Sequence, residues 1–195
     1  MLLLVLNSMP HKKTKNVNNN MQSITLISGT NRIDSYTEKV ANYYQTQLKL
    51  RGVESSILSL KNLPEAFISS DLYGKRSNEF QTLIDSHIAN ETNFVFLVPE
   101  YNGSFAGILK VFLDAIPPKL WLDKKACLVG ISSGRAGNVI GLEHLTTILN
   151  HLKIHIYHHK LPISRVDTLI DESGNLTDLE TQKIIAYQLD GFSRF

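Results

Sequence analysis

One short segment combines hydroxyl side chains, an arginine and a helix-start pattern. It runs from Gly29 to Glu38 and reads GTNRIDSYTE. Ser35 and Glu38 match the capping-box pattern, which fixes a helix N-terminus where free backbone N–H groups bind anions. The planar guanidinium of Arg32 suits phosphate oxygens. These residue types predict a cradle for a phosphate monoester. A plain helix cap beside a solvated arginine is the alternative interpretation of the same residues.

A second segment, Pro99–Lys110, combines turn residues with two aromatic rings and reads PEYNGSFAGILK. Its Asn-Gly pair is typical of a turn, and we expect Pro99 to end the preceding strand. Small residues let backbone N–H and C=O groups approach a ligand edge, while Tyr101 and Phe105 supply an aromatic wall. The segment predicts a site for a flat ring, with a helix that begins near Ser104.

The elements that position these two segments alternate between strands and helices. Apolar runs predict five strands, at Ser23–Ser28, Val53–Leu60, Asn93–Val98, Lys125–Ile131 and Lys153–Tyr157. Apolar periodicity and capping signals predict helices at Ser35–Leu50, Glu79–Ala89, Ser104–Ala115, Asn138–Leu149 and Asp178–Asp190. This order predicts an α/β fold, a doubly wound parallel sheet with helices on both faces. Ligands bind beyond the carboxyl ends of such strands, so both segments lie where a site is expected.

The two segments resemble the NADPH-dependent FMN reductases, a family with the flavodoxin-like fold. SGTNR with a later serine, and the more specific PEYNGS followed by GxLK, carry the resemblance over residues 23 to about 160. It implies a five-stranded sheet of order 2-1-3-4-5 and an NAD(P)H oxidoreductase. Such an enzyme passes hydride through N5 of bound FMN to a small acceptor, such as a quinone or free flavin. The alternatives are a flavodoxin-like FMN electron carrier without NAD(P)H activity, and a regulator that has lost the cofactor.

The resemblance implies cofactor-binding roles in three loops. The phosphate would be held by Thr30, Arg32, Ser35, Tyr36 and Thr37. The flavin ring would be lined by Pro99, Glu100, Tyr101, Asn102 and Gly103. The loop after the fourth strand would lie near the flavin, and its residues are Ser132, Ser133, Gly134 and Arg135. Arg135 is also a candidate for the 2′-phosphate of NADPH, with a solvated cation as the alternative. No catalytic side chain is expected, because the flavin carries the hydride chemistry.

Other conspicuous residues have structural interpretations. We expect Glu100 to form a salt bridge across a subunit interface, since family members are commonly homodimers or homotetramers. Trp121, with Leu120 and Leu122, is expected to form exposed apolar surface that closes the pocket or packs on a partner chain. No metal site is predicted, because neither carboxylates nor cysteines interleave with the histidines near the fifth strand. These are His151, His155, His158 and His159.

Charge and cysteine content argue against several other functions. The chain has 195 residues and a formal net charge of +2, but three lysines within the first 20 positions leave the rest at −1. This balance does not support nucleic-acid binding, and it counts against an electron carrier, because such carriers are commonly strongly acidic. The single cysteine, Cys127, is expected to be buried and unreactive. No apolar run approaches the ~20 residues of a membrane span, so we expect a cytoplasmic protein without a membrane partner.

The first 20 residues differ from the rest of the chain. They lead through a Lys- and Asn-rich stretch to Met21, which stands directly before the first predicted strand. We interpret Met21 as a candidate start of the protein, with residues 1–20 as an N-terminal extension before it or a disordered segment, and an accessory strand as the alternative. Residues 21–195 are the predicted flavodoxin-like FMN-binding domain.

Overall fold

The continuous apolar runs form the central strands of a parallel sheet. A computed structural model describes residues 23–73 and 75–195, so the predicted extension at residues 1–20 lies outside the described residues. Within these ranges the strands are β1 (Ser23–Ser28), β2 (Glu54–Ser59), β3 (Asn93–Tyr101), β4 (Ser104–Phe105), β5 (Lys125–Ile131), β6 (His155–Ile156) and β7 (Leu161–Ile163). The helices are α1 (Tyr36–Leu50), α2 (Asn78–Ile84), α3 (Gly107–Ala115), α4 (Val139–His151) and α5 (Leu179–Phe192).

The strand order confirms the predicted flavodoxin-like topology. The sheet runs β2-β1-β3-β5, and both β6 and β7 pair in parallel with β5 at the fifth position. This corresponds to the doubly wound order 2-1-3-4-5, in which the chain reverses direction across the sheet beside β1 and β3. The fifth strand predicted at Lys153–Tyr157 is shorter in the structure, where β6 covers only His155–Ile156. A turn at 158–160, in which Lys160 N–H donates to the His158 carbonyl at 3.1 Å, separates it from β7, which was not predicted.

Alternating side chains divide the interior into two cores. Along β3, Phe94 and Phe96 point to one face of the sheet, whereas Val95 and Leu97 point to the other. Side chains of α2, α3 and α4 complete the first core, and those of α1 and α5 complete the second. Burial on both faces explains why the central strands are apolar at consecutive positions.

The largest correction to the predicted elements concerns the segment after β3. The strand continues through Pro99 to Tyr101 and turns back into β4, where a helix start was predicted. Asn102 and Gly103 both have left-handed backbones, with φ of 52° and 75°, as a two-residue hairpin turn of type I′ requires. Helix α3 therefore begins at Gly107.

Trp121 and Cys127 both lie in the interior. The Trp121 ring is fully buried against Phe94 and Phe96, with ring centroids 5.4 Å and 6.3 Å apart. The expectation that Trp121 forms exposed surface is therefore wrong. The expected burial of Cys127 in β5 is confirmed, and this burial raises the pKa of its thiol. Among the described residues, no helix is both long and apolar enough to cross a membrane.

Candidate active site

A cavity of about 400 Å³ opens beyond the carboxyl ends of β1, β3 and β5. Its volume falls in the range of about 300–1,000 Å³ that is typical of small-molecule sites. Twelve of the predicted cofactor-binding residues line it: Arg32, Ser35, Tyr36, Thr37, Pro99, Glu100, Tyr101, Asn102, Gly103, Ser132, Ser133 and Gly134. Three further lining residues were not predicted, namely Asp34, Ile131 and Val166. The fold thus brings residues from separate loops to one concavity.

The start of α1 forms one end of the cavity. Ser35 is the N-cap, and its hydroxyl accepts the backbone N–H of Glu38 at 3.2 Å, which confirms the predicted helix start. The N–H groups of the first helical turn, including that of Thr37, have no carbonyl partner within the helix. The helix dipole and the exposed Arg32 guanidinium add positive potential there. The exposed Asp34 is the acidic side chain at this end of the cavity.

Thr30 lies behind the cavity wall, although it was predicted as a phosphate ligand. Its side chain is only 1% exposed, and it is absent from the cavity lining. Its hydroxyl oxygen accepts the backbone N–H of Arg32 at 3.2 Å and lies 2.8 Å from the Tyr101 hydroxyl oxygen. Thr30 therefore connects the loop after β1 to the hairpin after β3.

The β3–β4 hairpin forms a second wall and is tied to α4 by hydrogen bonds. The Glu100 carboxylate accepts the backbone N–H of Asn138 at 3.2 Å, and the Asn138 amide donates to the Val98 carbonyl at 2.9 Å. Ser104 Oγ and His144 Nδ1 lie 2.9 Å apart. Glu100 thus has a partner within its own chain, whereas the predicted salt bridge between subunits stays a prediction.

The loop after β5 forms the third wall and is shaped by residues much later in the chain. Ser132 N–H donates to the Ile163 carbonyl at 3.0 Å, and Val166 N–H donates to the Ser132 carbonyl at 3.1 Å. A Cβ built on Gly130 would lie 2.2 Å from the Gly137 carbonyl oxygen, so this loop folds closely over β5. Arg135 is exposed and does not line the cavity.

Comparison with known proteins identifies the family. The model of the NADPH-dependent FMN reductase family matches residues 22–167. The chain belongs to this family. A 2-hydroxy-1,4-benzoquinone reductase from Burkholderia sp is 26% identical over 175 residues, which cover 87% of this chain and 93% of that protein. An NAD(P)H-dependent FMN reductase from Pseudomonas aeruginosa is 28% identical over 167 residues, which cover 84% of this chain and 89% of its own length.

Solved structures confirm the fold of this FMN reductase family member. The flavoenzyme NAD(P)H:(acceptor) oxidoreductase FerB from Paracoccus denitrificans superposes with a TM-score of 0.72 at 24% sequence identity. The superposition covers 89% of this chain and 96% of FerB.

The cavity has the chemistry that FMN requires. Its α1 end offers a guanidinium, hydroxyls and first-turn N–H groups, which suit a phosphate. The other walls offer the backbone of the hairpin and of the loop after β5, which suits the polar edge of a flat ring. The residues that line the cavity therefore fit the cofactor that the family name implies.

Proposed function

We propose that the protein is an FMN-dependent NAD(P)H oxidoreductase that reduces a small acceptor such as a quinone or free flavin. One observation carries the proposal: in a chain of the NADPH-dependent FMN reductase family, the capped start of α1 with Arg32 and a backbone-rich hairpin border the same cavity. When bound, FMN supplies the chemistry by accepting hydride from NAD(P)H and delivering it to the acceptor. The names of the Burkholderia and Pseudomonas relatives support a quinone or flavin as the acceptor.

The protein's own residues would bind and orient the cofactor. Arg32 and the first turn of α1 would neutralise the phosphate, because cationic and N–H donors converge there. The hairpin of Asn102 and Gly103 would place backbone donors at the ring edge, where fixed dipoles stabilise developing negative charge. The hairpin is fixed by its turn geometry and by its bond to Asn138, so these groups need little reorganisation when the cofactor binds.

Arg135 lies outside the cavity but at the surface of the loop that borders it. It remains the proposed contact for the 2′-phosphate of NADPH, since an exposed guanidinium suits a phosphate monoester. A cytoplasmic location and a homodimer or homotetramer also remain proposals. Gel filtration coupled to light scattering would measure the number of subunits.

Titration with FMN followed by NAD(P)H turnover tests the proposal. Quenching of flavin fluorescence measures the dissociation constant, and absorbance at 340 nm follows NAD(P)H oxidation with and without a benzoquinone. We expect saturable FMN binding and acceptor-dependent oxidation. We expect Arg32→Ala to raise the FMN Kd about tenfold or more, because hydrogen bonds to a charged group contribute roughly 1.5–3 kcal/mol.

Arg194→Ala is the matched control. Arg194 is exposed beside Phe195, whose ring contacts Lys125 at the start of β5, at the end of the sheet opposite the cavity.

FMN binding without NAD(P)H oxidation would instead identify an electron carrier. Failure of the unmodified protein to bind FMN would refute the flavoenzyme and favour a regulator.

A further inference from the structure

The hydrogen bond between Thr30 and Tyr101 joins two hydroxyl groups in different surroundings. Their oxygens are 2.8 Å apart, and either could donate. Thr30 is 1% exposed and lies behind the cavity wall, whereas Tyr101 lines the cavity and is partly exposed. The two residues are 71 positions apart in the chain, so the contact exists only in the folded protein.

A count of hydrogens gives this bond a direction. Each hydroxyl has one hydrogen, and the bond between them uses one of the two. If Tyr101 donated, the Thr30 hydrogen would be buried with no acceptor among residues 23–73 and 75–195, because within these ranges the Thr30 oxygen otherwise only accepts, from the N–H of Arg32. A buried donor without a partner is unfavourable. Thr30 therefore donates to Tyr101, and the remaining O–H, that of Tyr101, is free to point into the cavity.

The hydroxyl of Tyr101 lies at the phosphate end of the cavity, although its backbone belongs to the hairpin. Thr30 lies two residues after the end of β1, and its oxygen is within hydrogen-bonding distance of both Arg32 N–H and the Tyr101 hydroxyl. The free O–H of Tyr101 is thus grouped with the N–H and guanidinium donors that the loop after β1 supplies.

We propose that Tyr101 donates its hydroxyl hydrogen to the phosphate of FMN, and that Thr30 is a positioning residue that orients this hydroxyl. The inference rests on the proposed function and assigns the two side chains differently from the sequence resemblance. There, Thr30 was a direct phosphate ligand and Tyr101 a wall for the ring. The chemistry that Tyr101 would recognise is a phosphate monoester.

Binding of FMN and riboflavin to apoprotein variants tests this assignment, because riboflavin has the same ring without the phosphate. We expect Tyr101→Phe to raise the FMN Kd about tenfold or more and to leave the riboflavin Kd within about twofold. Thr30→Val should raise the FMN Kd by a smaller factor, since Tyr101 keeps its hydroxyl but loses its orientation. The double variant should lose less than the sum of the two single losses, because Thr30 acts partly through Tyr101 and partly through the backbone N–H of Arg32.

Controls separate the possible failures. Tyr187→Phe removes a hydroxyl from a tyrosine that is 67% exposed on α5, and it should change neither Kd. Circular dichroism and melting temperatures establish that each variant is folded. A larger loss for Thr30→Val than for Tyr101→Phe, or additive losses, would overturn the assignment and make Thr30 the direct ligand. Equal losses for FMN and riboflavin would place the role of Tyr101 at the ring. Unmodified protein that binds neither flavin would refute the proposed function itself.

Discussion

Asn138 ties the hairpin wall to the start of α4, and its replacement has a cost that can be worked out in parts. The residue is 1% exposed, its amide donates to the Val98 carbonyl at 2.9 Å, and its backbone is left-handed with φ of 64°. Asn138→Ala leaves the buried carbonyl without this donor, at about 1–3 kcal/mol. It also places alanine, which has a Cβ atom but no polar side chain to compensate, in a left-handed backbone conformation, which costs roughly 1–2 kcal/mol.

The free energy of unfolding should therefore fall by about 2–4 kcal/mol in Asn138→Ala. The lower part of the summed range applies, because the buried Asn138 Oδ1 atom has no hydrogen-bond donor in the part of the chain that the structure describes, and its removal relieves that penalty. Asn138→Gly loses the same hydrogen bond but tolerates positive φ. The free energy of unfolding should therefore fall by about 1–2 kcal/mol less in Asn138→Gly than in Asn138→Ala, because only the alanine variant has the cost of the left-handed backbone.

Urea denaturation of the apoproteins, followed by circular dichroism, measures these differences. Apoprotein is required because bound FMN would add its own stabilisation. Equal losses for the alanine and glycine variants would refute the reasoning about backbone conformation. A loss below about 0.5 kcal/mol for both would refute the importance of the bond to Val98.

Two further perturbations follow from other contacts. Gly130→Ala would place a methyl group 2.2 Å from the Gly137 carbonyl oxygen. We therefore expect a lower melting temperature and weaker FMN binding. Unchanged values would show that the loop after β5 can move to accommodate the methyl group at no cost. Burial lowers the pKa of His87, whose ring nitrogen lies 3.0 Å from the Ser56 hydroxyl. Below its unfolded pKa of about 6.5, the unfolded chain therefore binds a proton more readily than the folded one. The free energy of unfolding should keep the full contribution of His87 above that pH and should fall as the pH drops toward the folded pKa. Urea denaturation across this pH range measures the decline, which should be flatter in His87→Asn. An unchanged slope in this variant would contradict the reasoning.

Sequence patterns predicted the sheet well where burial on both faces leaves little choice of residue. The bounds of β1 and β5 are those predicted, because Ser23–Ser28 and Lys125–Ile131 are apolar runs with clear ends. The hairpin was missed because β4 has only two residues, too few to show an alternating pattern. Trp121 was misplaced because its neighbours Leu120 and Leu122 suggested a surface patch, whereas the indole fills the space beside Phe94.

The candidate site was predictable as a set of loops but not as a network of contacts. Strand order alone places the loops after β1, β3 and β5 together, and local motifs supply Arg32 and Ser35. The link between Thr30 and Tyr101 joins residues 71 positions apart, and that between Glu100 and Asn138 joins residues 38 apart. Pairs at such separations carry no periodic signal, so a single sequence does not reveal them. The binding roles of all these residues stay predictions until FMN affinity is measured.

The divided fifth position of the sheet affects how the protein meets other chains. An uninterrupted edge strand offers a row of unpaired N–H and C=O groups, to which a strand of another molecule can add. Here that edge consists of two residues in β6 and three in β7, separated by a turn at 158–160. Neither piece is long enough to guide a regular ladder. Any contact between molecules at this edge must therefore depend on side chains, and the sheet is protected there from growing by backbone pairing into aggregates.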